Sequence, residues 1–224
     1  MKHVIQAAGK TVDVFAAGET AAPLVVLNTF QGEGEAVYEA VQRLTGRRFT
    51  LAAISGLDWN AELSPWPAPP VFTGALPFGG EADAYLDTLT GAILPEILKT
   101  LPTAPALCAL AGYSMAGLFA LYALYRTDRF ARVASASGSL WYPGFLEFAL
   151  NSAMAAEPEG IFLSLGDREA KTRKPAMRTV EAHTERLARH LAGLGIPTRF
   201  EFNPGGHFQD PTGRMARAIA WAIA

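Results

Sequence analysis

Residues 106–125 do most to limit what this chain can fold into. An apolar run over 106–111 leads into Gly112-Tyr113-Ser114-Met115-Ala116-Gly117, and a helical run follows over 118–125. A strand that turns tightly into a helix needs small residues where the backbone reverses, and Gly112, Ala116 and Gly117 supply them. A serine on such a turn stands clear of its neighbours. The helix starting behind it brings its dipole and the Met115 N–H toward the same point, where an oxyanion would form. Ser114 is thus a candidate nucleophile and Met115 a candidate oxyanion donor. In a chain with 21 glycines the bare pattern would equally fit a small serine capping a buried helix. The flanking strand and helix favour the nucleophile. Ala116 stands where such turns usually carry a second glycine, and it is still small enough for the turn.

The rest of the chain supplies a frame for that turn. Two strands, 4–7 and 11–16, flank the turn residues Gly9-Lys10 as a hairpin. Strand 24–27, helix 35–44 with Val37, Val41 and Leu44 on one face, and strand 49–54 come next. Pro65, Pro67, Pro69, Pro70 and Pro77 exclude regular helix from 56–80 and predict an ordered surface loop. A helix over 81–98, bent at Pro95, then leads to the strand before Ser114. After it, strands 132–137, 161–165 and 198–202 alternate with helices 145–154, 177–194 and 215–223. The pattern predicts an α/β chain with an eight-stranded, mostly parallel sheet and helices on both faces. Residues 1–224 read as one domain with no separate lid domain, and ligands are expected at the carboxyl ends of the strands.

Composition narrows the partner. Half of the 224 residues are hydrophobic and the formal charge is −2, so no global field would draw nucleic acid or an anionic membrane surface. Cys108 is the sole cysteine, which excludes an intramolecular disulfide and a zinc–thiolate cluster. The first residues, Met1-Lys2-His3-Val4-Ile5-Gln6, lack a signal-peptide core, and no apolar stretch reaches the roughly 18 residues a membrane helix needs. These features lead to the expectation of a cytoplasmic protein with a small-molecule partner, no nucleic acid, no membrane, no metal and no cofactor.

What stands just after each late strand carries the chemistry. Ser114 is followed by Gly166-Asp167-Arg168-Glu169 and by Asn203-Pro204-Gly205-Gly206-His207, giving the chain order serine, acid, histidine. A serine hydroxyl needs a base near neutral pH, and His207 is placed to be that base. His183 and His190 fall in the run 177–194 among arginines and read as solvated, and His3 sits at a frayed start. A carboxylate must then reach the far ring nitrogen of His207. Glu169 suits this better than Asp167, which lies nearer the strand and would cap the loop backbone. The second oxyanion donor is expected from the turn after the first parallel strand, with Phe30 N–H favoured over Thr29. Trp59, Trp66, Trp141 and Tyr113 are candidate substrate contacts, although long-loop aromatics, Trp66 above all, also serve as packing. Arg168, Lys171, Arg173, Lys174 and Arg178 form a basic cluster beside the acid, which reads either as a solvated face or as an attraction for anionic substrates.

The segments 112–117, 166–169 and 205–207 give the chain a resemblance, over nearly its whole length, to the Putative esterase family of α/β-hydrolases. That family includes enterochelin and related siderophore esterases, S-formylglutathione hydrolases and mycolyltransferases. Asp58-Trp59-Asn60, Ser64-Pro65-Trp66 and the stretch 137–142 look like those of compact bacterial members. The resemblance implies a Ser114, Glu169, His207 triad with Met115 and Phe30 backbone donors, and it adds no metal. Family members often carry Asp-Gly at the oxyanion turn, where this chain has Asn28-Thr29. The expected activity is cleavage of a carboxylic ester through an acyl-enzyme. Acyl transfer on the same triad, or a binding protein that kept the fold without the chemistry, are the rival readings.

Overall fold

The computed structural model describes residues 2–18, 21–71 and 74–224. Its strands are β1 (Lys2–Ala7), β2 (Lys10–Phe15), β3 (Leu24–Asn28), β4 (Thr50–Ser55), β5 (Cys108–Tyr113), β6 (Arg132–Ala136), β7 (Gly160–Gly166) and β8 (Thr198–Asn203). They form an eight-stranded sheet in the order β1-β2-β4-β3-β5-β6-β7-β8. β1, β2 and β4 pair antiparallel, and every pairing from β4 to β8 is parallel. The strand order runs backward from β4 to β3 and then skips forward to β5, so β3 and β5 lie side by side at the point where successive crossovers diverge. A crevice opens at the carboxyl ends of strands at such a switch point.

The helices are α1 (Gly34–Thr45), α2 (Ala82–Thr88), α3 (Leu94–Lys99), α4 (Met115–Ala123), α5 (Phe145–Asn151), α6 (Val180–Gly193) and α7 (Pro211–Ala222). Because side chains alternate along a strand, each inner strand feeds two cores. Val25 and Leu27 of β3 join Val37 and Val41 of α1 and Ile219 of α7 on one face. Leu24 and Val26 join Leu118 of α4, Phe145 of α5 and Leu187 of α6 on the other. β3 and β7 are buried along their whole length, as continuous apolar runs in a doubly covered sheet must be.

Local differences from the sequence expectations have physical causes. The expected helix over 81–98 is α2 and α3 joined by a wide π turn at Leu89–Ile93. Pro95, at the start of α3, has no N–H and crowds the carbonyl four residues earlier, so the backbone widens ahead of it rather than bending at it. The last helix begins at Pro211 instead of 215, because Asp210 caps it by accepting the Gly213 N–H at 3.0 Å. His3 is not frayed but lies in β1, paired with Val14. His183 is half-buried rather than solvated, and its Nδ1 sits 2.8 Å from the Leu140 carbonyl oxygen. The segment 56–80 is anchored by a bridge between Ala68 and Phe78.

Candidate active site

The turn between β5 and α4 sets the site. Ser114 adopts φ 59° and ψ −120°, a conformation that costs a non-glycine residue roughly 1–3 kcal/mol. Its neighbours hold it there. Ser114 N–H donates to the Ala136 carbonyl at 3.2 Å, while its own carbonyl accepts from Leu118 at 3.0 Å and from Ser139 at 3.0 Å. A Cβ on Gly112 would collide with the backbone of Ala116, so only glycine lets the helix fold back this closely.

Three loops deliver their side chains to this serine. His207 Nε2 stands 3.0 Å from Ser114 Oγ, and His207 Nδ1 stands 2.7 Å from Glu169 Oε2. The other carboxylate oxygen, Oε1, accepts the Gly166 N–H at 2.7 Å and Arg214 Nη1–H at 2.8 Å. Burial alone would push the Glu169 carboxyl upward. The hydrogen bond and charge of His207, with the Gly166 amide and the Ser137 hydroxyl, outweigh it and hold the group below the usual carboxylate range. Asp167 is turned elsewhere, its Oδ1 accepting the Gly205 N–H at 2.7 Å. Tyr113 braces the histidine loop, donating its hydroxyl to the His207 carbonyl at 2.6 Å.

Two residues that the sequence did not single out touch this chain of bonds. Ser139 Oγ lies 3.2 Å from Ser114 Oγ, buried at the start of the loop after β6. Arg214, in the first turn of α7, has no exposed side-chain surface and pairs with Glu169. The Asp210-Pro211 pair, a cap and first helical residue, signals that position 214 lies in a helix rather than in a loop, but it does not say which face the side chain takes.

The candidate oxyanion donors differ in their present bonds. Met115, as the first residue of α4, has an N–H with no helical carbonyl to bond. Thr29 N–H is taken by the Ile54 carbonyl at 2.8 Å, an extension of the β3–β4 pairing. Phe30 N–H donates to Glu33 Oε1 at 3.0 Å, and Gln31 N–H to Glu33 Oε2 at 2.9 Å.

Of the aromatic candidates, Trp59 meets Phe30 edge-on at 5.0 Å between ring centres. Trp66 packs among Tyr122, Tyr142 and Phe148 and donates its Nε1–H to the Pro143 carbonyl at 2.9 Å. Trp141 is buried against Phe78 and Tyr142. In the basic cluster, Arg178 Nε–H donates to the Thr172 carbonyl at 3.0 Å and Arg168 Nη2 reaches Gln209 Oε1 at 3.4 Å. Cys108 lies at the opposite end of β5 from Ser114, and burial pushes its thiol up to about 12. Among the described residues, no group of three or more His, Cys, Asp or Glu is placed to hold a metal ion, and no helix is long and apolar enough to cross a membrane.

The model of the Putative esterase family matches residues 30–210, which takes in Ser114, Glu169 and His207. The chain belongs to the Putative esterase family. Membership in this esterase family supports hydrolysis of small-molecule esters as its activity. Among curated proteins, the chain is similar to an uncharacterized protein, YbbA of Bacillus subtilis (strain 168). They are 25% identical over 170 residues, 75% of this chain and 68% of that one. Solved structures of esterases share its fold. The siderophore hydrolase EstA from Aspergillus nidulans superposes with a TM-score of 0.79 at 22% identity, covering 95% of this chain and 89% of that one. An enterochelin esterase from Shigella flexneri gives 0.73 at 22% identity, covering 99% of this chain and 57% of that one.

Proposed function

We propose that this member of the esterase family is a serine esterase that works through an acyl-enzyme on Ser114. The observation that carries the reading is the unbroken chain Ser114 Oγ, His207, Glu169, with links of 3.0 and 2.7 Å. His207 Nε2 takes the serine proton as Oγ attacks the ester carbonyl, and Glu169 stabilises the imidazolium that forms. The tetrahedral oxyanion accepts from Met115 N–H and from Phe30 N–H, which becomes available as the Glu33 carboxylate turns away. His207 then protonates the departing alcohol. Water, deprotonated by the same ring, releases the acid and restores Ser114.

The substrate is a small carboxylic ester with an apolar portion that rests beside Trp59 and Phe30 at the mouth. Trp66, bonded to the Pro143 carbonyl, anchors the loop that carries Trp59. The names of the similar solved structures make siderophore-like esters the first compounds to screen beside simple ones.

Replacing Ser114 tests the mechanism directly. Ser114→Ala is expected to lower kcat on short p-nitrophenyl esters by roughly a thousandfold or more, with the folded state retained. A fluorophosphonate should label the parent at Ser114 and leave the variant unlabelled. Parental turnover in Ser114→Ala would overturn the reading.

A further inference from the structure

Arg214 is more heavily committed than any ion pair on the surface of this molecule. Its Nη1 donates to Glu169 Oε1 at 2.8 Å and to Ser137 Oγ at 3.0 Å. Its Nη2 donates to the carbonyls of Pro204 and Gly206, both at 2.9 Å. Those two carbonyls belong to the segment leading into His207. One planar group therefore ties the acid, which follows β7, to the base, which follows β8.

Resting on the esterase reading above, we propose that Arg214 is a positioning residue. It fixes Glu169 and the His207 loop in one frame and limits how much of the carboxylate's charge reaches the imidazole.

Three observations support this beyond a structural brace. With Oε1 held by Arg214 and Gly166, Glu169 can offer only Oε2 to His207, so the carboxylate cannot rotate away. Next, the chain gives up space for the guanidinium: a Cβ on Gly166 would run into both of its terminal nitrogens and into the Gly205 carbonyl. Finally, Arg214 Nε is buried without a hydrogen-bond partner. A buried guanidinium that keeps an orphan donor carries a cost that a brace alone would not need, which favours a role beyond packing.

The electrostatic consequence has a definite sign. Arg214 and Glu169 together are neutral, so a proton added to His207 makes the cluster positive. Without Arg214 the same proton would neutralise it, and His207 would hold that proton more readily. Other charged or titratable groups around the loop are Tyr113, which bonds the His207 carbonyl, Asp167 on Gly205 N–H, Arg168 on Gln209, and the Asp210–Arg217 pair. Tyr113 also accepts from Arg214 Nη1 at 3.4 Å and its ring lies 5.4 Å from the His207 ring, but it is uncharged; the others act on backbone or outer side chains of the loop, and among the described residues Arg214 is the arginine bonded to Glu169.

The test compares Arg214→Met and Arg214→Lys with the parent, reading the His207 ring titration by NMR and kcat/KM against pH on p-nitrophenyl esters. Arg214→Met should raise the His207 midpoint, and with it the acid limb of the profile, by at least about half a pH unit. Arg214→Lys keeps the charge but cannot span both sides. It should leave the acid limb in place while lowering kcat roughly tenfold with KM little changed. A His207 midpoint in Arg214→Met equal to the parent's, or parental kcat in Arg214→Lys, would overturn the proposal. If Arg214→Met fails to fold, the lysine variant decides alone by the same kcat criterion. Failure of the esterase reading is recognised separately, as parent turnover that Ser114→Ala does not lower, and it would overturn this proposal with it.

Discussion

Glu169 shows how one side chain can be both a fold element and a part of the proposed relay. Its carboxylate accepts hydrogen bonds from Gly166, Arg214 and His207, with 4% of its side chain exposed. The folded chain therefore holds Glu169 ionised at a pH where the unfolded chain, with its carboxyl near about 4.3, has begun to take up protons. The stability this adds is fully present above about pH 4.3 and is lost as pH falls through the lower, folded value. Glu169→Gln should remove that dependence: its melting temperature should fall less steeply on acidification than the parent's. At neutral pH it should also lower stability by about 3–5 kcal/mol, since Arg214 is left buried without its counter-charge. Thermal melts at a series of pH values read both effects, and equal slopes for the two proteins would contradict the assignment. At this scale the sequence was legible where residues follow strands. That rule picks out Ser114, Glu169 and His207, which the fold brings within hydrogen-bonding distance of one another, and passes over Ser139 and Arg214. A serine inside Ser137-Gly138-Ser139 and an arginine between Gly213 and Met215 have no local feature that separates a buried polar hub from a solvated one.

At the scale of elements, the turn from β5 to α4 depends on crowding rather than on bond strength. The helix folds back so that Ala116 backbone atoms occupy the space a side chain at 112 would need. Gly112→Ala must push Ser114 out of its φ 59° conformation or lift α4 from the sheet. Such overpacking typically costs about 1–3 kcal/mol. The larger effect should fall on catalysis, because misplacing a nucleophile by about 1 Å costs roughly a hundredfold. Measuring kcat together with the melting temperature separates the two, and a variant with parental kcat would show that the turn tolerates a methyl group. Sequence patterns located most elements but misjudged their ends for traceable reasons. The strand before Ser114 runs to Tyr113 and α4 begins at Met115, since a strained elbow needs no spacer between them. The π turn ahead of Pro95 was not legible, because a proline announces a break without saying on which side the backbone will yield.

For the whole molecule, alternation of strands and helices determined the sheet, and the sheet determined the site. β5 carries Ser114, the proposed nucleophile, from the middle of eight strands, while the loops after β7 and β8 bring Glu169 and His207 to it. What the sequence could not reveal was strand order, because pairing between β3 and β5 joins segments about 80 residues apart and leaves no local trace. That order makes stability uneven. β3, β5 and β6 have a partner on each side and helices on both faces, whereas β1 and β8 are sheet edges with partly exposed side chains. Amides of the central strands should exchange with solvent only through global unfolding, and those of β1 through local opening. Hydrogen exchange on the intact chain should thus show β1 exchanging at least roughly tenfold faster than β3 and β5, with the gap closing as denaturant brings global unfolding within reach. β8 offers a sharper comparison, being an edge strand whose end is tied down: Arg214 holds Pro204 and Gly206 just beyond it. It should exchange more slowly than β1 in the parent and approach β1 in Arg214→Lys. Equal protection of β1 and β5 would mean that the amino-terminal hairpin opens only with the core.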